Sequence, residues 1–421
     1  MTLDTTTGQL TGMLHSAAWL ARSGPDGPHD PAATEPLGAH TRRLGARPRG
    51  DATLVDELAH ARVSGHGGAH VPTALRWTAA LRRGGPLTVV ANGAESEPLS
   101  AKDVTLLRQH PHLVLDGLAL AAETLGARRA VVWLHGDDVA TSTVVRAAVA
   151  ERRAARVAEP WLEVVNGPSH YLAGESSAIG RALAGGPALP AARGRRGSHT
   201  FVQNAETLAR IALVARGIPP VASTLLTVLT PVGRHVLEVE RGTTAAHAVA
   251  RAGSWRDGPP QAVLLGGFGG AWVPWHVLEG MPLDEVTLRA AGLSLGAGVV
   301  APIPYDACGL AETAAIAAYL AAMSARQCGP CLFGLPALAE SMRVLAAGTA
   351  PRRERVRLLD DLRAVAGRGA CHHPDGATRL IASALDVFAT DLAEHERGRP
   401  CAGSDRLTLP VPVLRAAEVG A

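Results

Sequence analysis

Gly65-His66-Gly67-Gly68-Ala69-His70-Val71-Pro72-Thr73-Ala74-Leu75-Arg76-Trp77, followed by Asn92-Gly93-Ala94-Glu95-Ser96-Glu97-Pro98-Leu99-Ser100-Ala101-Lys102-Asp103, decides how this chain is read. The first stretch is a glycine turn that runs straight into a helix. Gly67 and Gly68 let the backbone approach a ligand closely, and Pro72 suits the first turn of the helix. Exposed N–H groups and the helix dipole at such a start form an anion site. The second stretch follows an apolar run, Leu87 to Ala91, which reads as a buried strand ending at Asn92. Acidic and amide side chains at the carboxyl end of a strand are where an open α/β sheet places its ligand. Lys102 is the only lysine in the chain.

The 421 residues allow two or three domains, and 47% apolar composition is ample for globular cores. A formal charge of +3 and 3% aromatic residues argue against nucleic-acid binding. Arg193 to Arg196 and Arg352 to Arg355 read as solvated surface. The start, Met1-Thr2-Leu3-Asp4, lacks the pattern of a signal peptide, and no apolar run approaches a membrane span. Five cysteines make no disulfide framework in a chain of this length. Clustered cysteines in a reducing compartment point instead to a metal, and the expected location is the cytoplasm.

Residues 1–50 read as a loosely ordered lead. From Leu54 helices and strands alternate, with a helix over Pro111 to Leu125 and strands at Ala130 to Leu134 and Trp161 to Val165. That alternation predicts a mixed or parallel sheet with helices on its faces. A second unit carries strands at Val236 to Val239 and Ala262 to Leu265 around a helix from Thr243 to Ala252, capped by Thr243 or Thr244. The Gly266-to-Gly270 run reads as a turn. The last unit is helical: Ile381, Leu385, Phe388 and Leu392 mark one helix face, as do Leu338, Met342 and Leu345, and Leu359, Leu362 and Ala366. Short connections predict a small antiparallel bundle.

The two opening stretches resemble the FMN-binding signature of the NADH-binding, 51-kDa-type flavoprotein subunit of respiratory complex I and its soluble relatives, close to GRGGAGFPTGLKW and NADESEP…KD. The resemblance runs from about Leu54 to Leu392. Tyr171-Leu172-Ala173-Gly174-Glu175-Ser176-Ser177-Ala178 resembles the family's YxxGEETA, and Gln203-Asn204-Ala205-Glu206-Thr207-Leu208 resembles NNVETL. It implies an α/β class with an FMN-binding α/β domain (51–225), a ubiquitin-like, SLBB-like β-grasp insert (226–305), a four-helix-type iron–sulfur bundle (306–395) and a tail (396–421). By resemblance, Gly65, Gly67, Gly68 and Arg76 approach the FMN phosphate and ribityl chain. Asn92, Glu95, Ser96 and Glu97 line the ring, and Gly174, Asn204 and Thr207 complete the cofactor contacts. Glu97, Tyr171 and Glu175 are the catalytic candidates. Ordinary helix capping also accounts for Asn204 and Thr207, and a core position for Tyr171.

Several positions depart from the family pattern. Ala94 replaces the aspartate of NADESEP, Ser176 the second glutamate of GEET, and His70-Val71 the Gly-Phe of GAGFP. Between Leu183 and Arg193 the family's Lys and Phe, which hold the nicotinamide nucleotide, are both missing. Binding of NAD(H) is therefore in doubt, since aromatic stacking contributes about 1 kcal/mol per pair.

The family's CxxCxxC appears here as Ala325-Arg326-Gln327-Cys328-Gly329-Pro330-Cys331, with Cys371 where the fourth thiolate is expected. Cubane clusters ordinarily take four thiolates. Three open readings follow: an iron–sulfur centre ([4Fe–4S] or [3Fe–4S]), a zinc site, or reduced structural cysteines. His372 is the first substitute ligand and Cys308 a second, while Cys401 is expected to be unbound. The resulting function is FMN-dependent electron transfer from a two-electron donor, NAD(P)H or other, through an iron–sulfur centre. The acceptor would be a ferredoxin-like protein, or the subunits of a redox complex would receive the electrons. No partner nucleic acid and no membrane insertion are expected. The rival is a non-catalytic assembly subunit that kept the fold.

Overall fold

Val89, Val90 and Ala91 are fully buried, as an unbroken apolar run requires of a strand covered on both faces. The computed structural model describes residues 34–413 except 69, 86–87, 193–198, 219–221, 254–257 and 350–352. Residues 1–33 of the lead, Leu87 of the first expected strand, Arg193 to Arg196 and Arg352 lie outside the described residues.

Among the described residues, α1 (Leu37–Leu44), α2 (Thr53–His60) and α3 (Thr73–Arg82) precede strand β1 (Thr88–Asn92). Then come α4 (Lys102–Gln109), α5 (Pro111–Leu125), β2 (Arg129–His135), α6 (Val139–Ala154), β3 (Leu162–Gly167), α7 (Ser176–Leu183), β4 (Thr200–Asn204) and α8 (Ala205–Val214). The four strands form a parallel sheet in the order β3-β2-β1-β4. The sheet grows from β1 toward β3 and then returns to β1's other side for β4. The β1/β4 boundary is thus a topological switch point, where open sheets leave a crevice at their carboxyl ends. Gly117 explains how closely α5 and α8 approach: a Cβ there would lie 2.0 Å from the Leu208 carbonyl oxygen.

The expected loose lead is corrected over residues 34–50. His40 on α1 is buried and its Nε2 lies 2.8 Å from Asp116, while Arg47 donates to Glu123. Charged partners on α5 hold this segment, which a search for apolar periodicity does not register.

The second unit contains β5 (Ser223–Thr230), β6 (Gly233–Glu240), α9 (Ala245–Ala252), β7 (Ala262–Leu265), β8 (Ala271–Pro274), α10 (Trp275–Leu278), α11 (Glu285–Ala290) and β9 (Val299–Ile303). Its sheet runs β6-β5-β9-β7-β8, with β5 and β9 parallel and the other pairs antiparallel, around α9, the β-grasp arrangement. Thr244 caps α9 by accepting from the His247 amide. Strand β5 joins the units: Leu225 packs into the first core and Leu226 into the second, because successive strand residues face opposite sides.

The last unit comprises α12 (Gly309–Ala322), a π-helical turn (Pro330–Gly334), α13 (Leu335–Ala346), α14 (Arg353–Val365), α15 (His373–Val387) and α16 (Ala389–His395). Two expectations are corrected here. The single helix expected through Leu392 breaks at Phe388, whose ψ of 31° ends α15 before α16 begins. The buried face of α14 is Leu358, Leu362 and Val365, one residue out of phase with the expected Leu359 and Ala366. The bundle shares one apolar core with Leu264, Phe268, Trp272 and Ile303 of the β-grasp unit. Among the described residues no helix is long and apolar enough to cross a membrane.

Candidate functional site

Asn92 ends β1, Asn204 ends β4, and the two are register partners at the switch point. The glycine segment sits against this pair. Its ends are closed by the Ser64–Pro72 bridge, and the Gly65 amide donates to the Val71 carbonyl. A Cβ on Gly67 would stand 3.5 Å from the Asn204 Cβ, and Gly68 has a φ of +91° that favours glycine. His70 also takes a left-handed φ, +48°, and its ring lies 3.2 Å from Glu285. Pro72 is the N-cap of α3 rather than a first-turn residue.

The helix start that the loop touches is that of α8. The His66 amide donates to Thr207 Oγ1 at 2.9 Å, and Asn204 Oδ1 accepts from the Glu206 and Thr207 amides. Capping is thus the local role of Asn204, and it coexists with a place at the crevice. Thr73, which follows the loop, and Gln203, which precedes Asn204, are fully buried, and Thr73 Oγ1 and both Gln203 amide atoms have no hydrogen-bond partner. Buried polar atoms without partners are costly. Orphaned polar groups on both segments and an open glycine turn fit a polar ligand with an anionic end, as FMN is.

The other ring-lining candidates meet protein groups. Asn92 Nδ2 donates to the Gly174 carbonyl at 2.8 Å. A Cβ on Gly174 would come within 2.5 Å of Ser96 Oγ, which lies 3.0 Å from His135 Nε2 at the end of β2. Glu95 accepts from the Asp103 and Val104 amides and so caps α4. Burial, reinforced by the Asp103 charge, pushes its pKa up to about 7. Arg76 donates to the Val202 carbonyl at 2.7 Å and stacks over Phe201, so its guanidinium faces protein rather than the loop. Lys102 is buried between Asp103 at 2.9 Å and Glu206 at 3.3 Å, which accounts for its retention structurally.

Glu97 joins three parts of the chain. Its Oε2 accepts from the Tyr171 hydroxyl at 3.2 Å and from the Phe268 amide at 2.9 Å, and burial pushes its pKa up to about 7. Phe268 lies in the glycine turn, whose sequence pattern carries no sign of this contact. Tyr171 also packs edge-on against Tyr319 and near His373. Glu175 caps α7 through the Ser177 and Ala178 amides. A cleft of about 750 Å³ runs from Tyr171 and Glu175 to Cys371 and His372. One wall is the segment that lacks the family's Lys and Phe. Arg181 ties it down by donating to the Leu189 and Pro190 carbonyls, and Gln327, beside Cys328, donates to Pro190.

Cys328 and Cys331 have their sulfurs 3.7 Å apart, and Cys371 stands close enough for its charge to act on Cys331. Burial, then the two neighbouring sulfurs, pushes the Cys331 thiol up to about 12. Burial also acts on Cys328, but amides of Ala370 and Cys331 outweigh it and lower its pKa. Cys328, Cys331 and Cys371 supply three of the four thiolates that a cubane cluster ordinarily takes. The Cys308 alternative is corrected: it lies beyond the opposite end of α12 from Cys328, a helix about 21 Å long at 1.5 Å per residue. Cys401, expected to stand alone, lies 3.1 Å from His395. His372 is exposed beside Asp375.

The family model "Nuo51 FMN-binding domain" matches residues 58–213, and "NADH-ubiquinone oxidoreductase-F iron-sulfur binding region" matches residues 311–395. Together they cover more than half of the chain. The NADH-quinone oxidoreductase-F 2 subunit of Rhizobium meliloti is 27% identical over 379 residues, covering 83% of this chain and 90% of its own. The NADH-quinone oxidoreductase-F subunit of Escherichia coli is 27% identical over 369 residues, covering 80% and 82%. A chain of the NAD+-reducing [NiFe]-hydrogenase in the H2-reduced state superposes with a TM-score of 0.74 at 25% identity, covering 81% of this chain. This chain spans only 62% of that hydrogenase chain's length.

Proposed function

The chain belongs to the family of the FMN- and iron–sulfur-binding flavoprotein subunit of NADH-quinone oxidoreductases, and from that premise we propose that its Asn92–Asn204 crevice is the flavin seat. The protein is an FMN-dependent electron-transfer oxidoreductase with an iron–sulfur centre. The assembly-subunit rival is not favoured. One observation carries the placement: the two asparagines meet at the switch point with the glycine loop against one of them.

FMN, when bound, exchanges electrons in pairs or singly and so couples a two-electron donor to a one-electron centre. Gly65, Gly67 and Gly68 bring backbone to its phosphate end, and Thr207 and Asn204 hold that backbone. Asn92, Ser96 and Gly174 form the ring edge, with Ala94 supplying no carboxylate acceptor. Arg76 acts from behind the crevice by fixing β4. Glu97, whose Oε2 accepts from the Tyr171 hydroxyl and the Phe268 amide, takes up or releases a proton near neutrality. Glu175 positions the first turn of α7. Cys328, Cys331 and Cys371 would hold the iron–sulfur centre, which would supply one-electron transfer there.

The donor side is a two-electron reductant bound without an aromatic platform in 184–192, which makes NADH a weak donor. On the acceptor side, Phe333 is 77% and Leu332 49% exposed next to Cys331. This apolar edge suits a ferredoxin-like protein or a neighbouring redox-complex subunit. Five free cysteines suit a cytoplasmic location. The test is Gly67→Val: its Cβ has room beside Asn204, so the chain folds, while its methyl groups fill the crevice. The variant is expected to be purified without FMN; stoichiometric FMN would refute this seat.

A further inference from the structure

We propose that Cys308, His395 and Cys401 form a second metal site, a structural Zn2+ centre that fastens the C-terminal tail to the helical bundle. His395 Nε2 lies 3.7 Å from the Cys308 sulfur and 3.1 Å from the Cys401 sulfur, and all three ligand atoms lie within 4.8 Å of one another. Zn–S bonds of about 2.3 Å and Zn–N bonds of about 2.0 Å at tetrahedral angles place such atoms roughly 3.5–3.8 Å apart. The three ligand atoms are therefore within roughly 1 Å of a zinc-binding triangle.

The surroundings match a metal-binding histidine. Nδ1 of His395 lies 3.1 Å from the Leu345 carbonyl, so the hydrogen-bond network assigns its proton there and turns the Nε2 lone pair toward the sulfurs. In the ion-free chain that lone pair accepts the Cys401 amide at 2.9 Å, a contact that an ion would replace. Cys308 and His395 are buried at 0% and 1% exposure, and Cys401 is partly buried. Cys308 is the N-cap of α12. The Ala311 and Leu310 amides at the start of α12 donate to its sulfur. The three protein ligands leave a fourth position of a tetrahedral ion to a water molecule. Two thiolates and one imidazole suit zinc by softness and geometry.

The ligands come from the start of α12, the end of α16 and the tail. The tail has no helix or strand among its described residues, yet it follows a fixed path: Leu409 is buried, and Thr408 and Leu409 donate to Glu312 on α12. An ion joining Cys401 to Cys308 would anchor the beginning of that path. The site is separate from Cys328 and Cys331, at the far end of α12.

The test uses the full chain purified anaerobically with its iron in place. Zinc is expected at one equivalent beside the iron, lost in Cys401→Ser and in His395→Gln while iron is kept, and kept in Cys328→Ser while iron is lost. Because Cys401 is only partly buried, its serine variant should fold. As a second measurement, Co2+ is added to a Cys328→Ser/Cys331→Ser/Cys371→Ser chain, whose two remaining cysteines are Cys308 and Cys401. A cobalt–thiolate charge-transfer band that Cys401→Ser abolishes is expected. Zinc that follows Cys328 rather than Cys401, absence of the cobalt band, or a Cys308–Cys401 disulfide in zinc-free protein would overturn the proposal.

Discussion

The Tyr171 hydroxyl donates to Glu97 Oε2 at 3.2 Å, joining the segment before α7 to the segment after β1, and the Phe268 amide of the β-grasp unit donates to the same oxygen. A carboxyl group buried at the meeting of two units, with donors supplied from both, is held close to its protonation threshold. Burial favours the neutral acid, and the donated hydrogen bonds favour the anion.

The first prediction follows from that balance. With its pKa raised from 4.5 to about 7, Glu97 contributes stability that is fully present below the unfolded value and is lost as pH rises through about 7. The folded state binds the extra proton in this window, so stability falls with pH by up to roughly 1.4 kcal/mol per unit. Glu97→Gln should flatten the slope. Relative to the variant, the wild-type chain should lose about 2.5 kcal/mol of stability between pH 5 and pH 8. Denaturant melts at the two pH values measure this. An unchanged slope would show that Glu97 is ionised throughout.

NADH should reduce the bound flavin slowly, because the wall of the cleft at 190–192, held at Pro190 by Arg181 and Gln327, contributes no ring or lysine. Anaerobic mixing followed at the flavin absorbance checks this. Rapid bleaching at micromolar NADH would mean that other residues hold the nucleotide.

Fold and site are unequally legible in the sequence. Helix α5 and strands β2 and β7 follow from apolar runs, and the Asn92 and Asn204 motifs mark the ends of the strands that flank the crevice. The break at Phe388 is not legible, because Phe388 and Leu392 stay buried on either side of it and preserve the apolar spacing. Nor is α1, which is held by ion pairs. At the site, residue types are more legible than their partners. Arg76 and Glu95 have the chemistry of flavin contacts, but their hydrogen bonds go to Val202 and α4. The grouping of Cys308 with Cys401 arises from tertiary packing across 93 residues, which spacing does not encode.

Removing the single lysine should unfold rather than merely inactivate the chain. Lys102→Met leaves Asp103 buried without its cation and Glu206 paired with Arg210 alone, a change that costs about 3–5 kcal/mol. Chemical denaturation should show a drop of that order. A loss under about 1 kcal/mol would mean that the two carboxyls share a proton instead.

Ala325 is buried and takes the place of the first cysteine of the family's CxxCxxC. Ala325→Cys is expected to slow oxidative loss of iron from the centre on Cys328, Cys331 and Cys371, measured as iron retained after timed exposure to air. Identical decay in the variant would show that position 325 does not face the centre.

The most direct measurement is the absorption spectrum of the anaerobically purified chain together with FMN and iron assays. A yellow-brown protein with one FMN per chain and iron is expected, in which Gly67→Val removes the flavin and leaves the iron. Colourless protein lacking both, from a folded chain, would contradict the assignment of an FMN and iron–sulfur electron carrier.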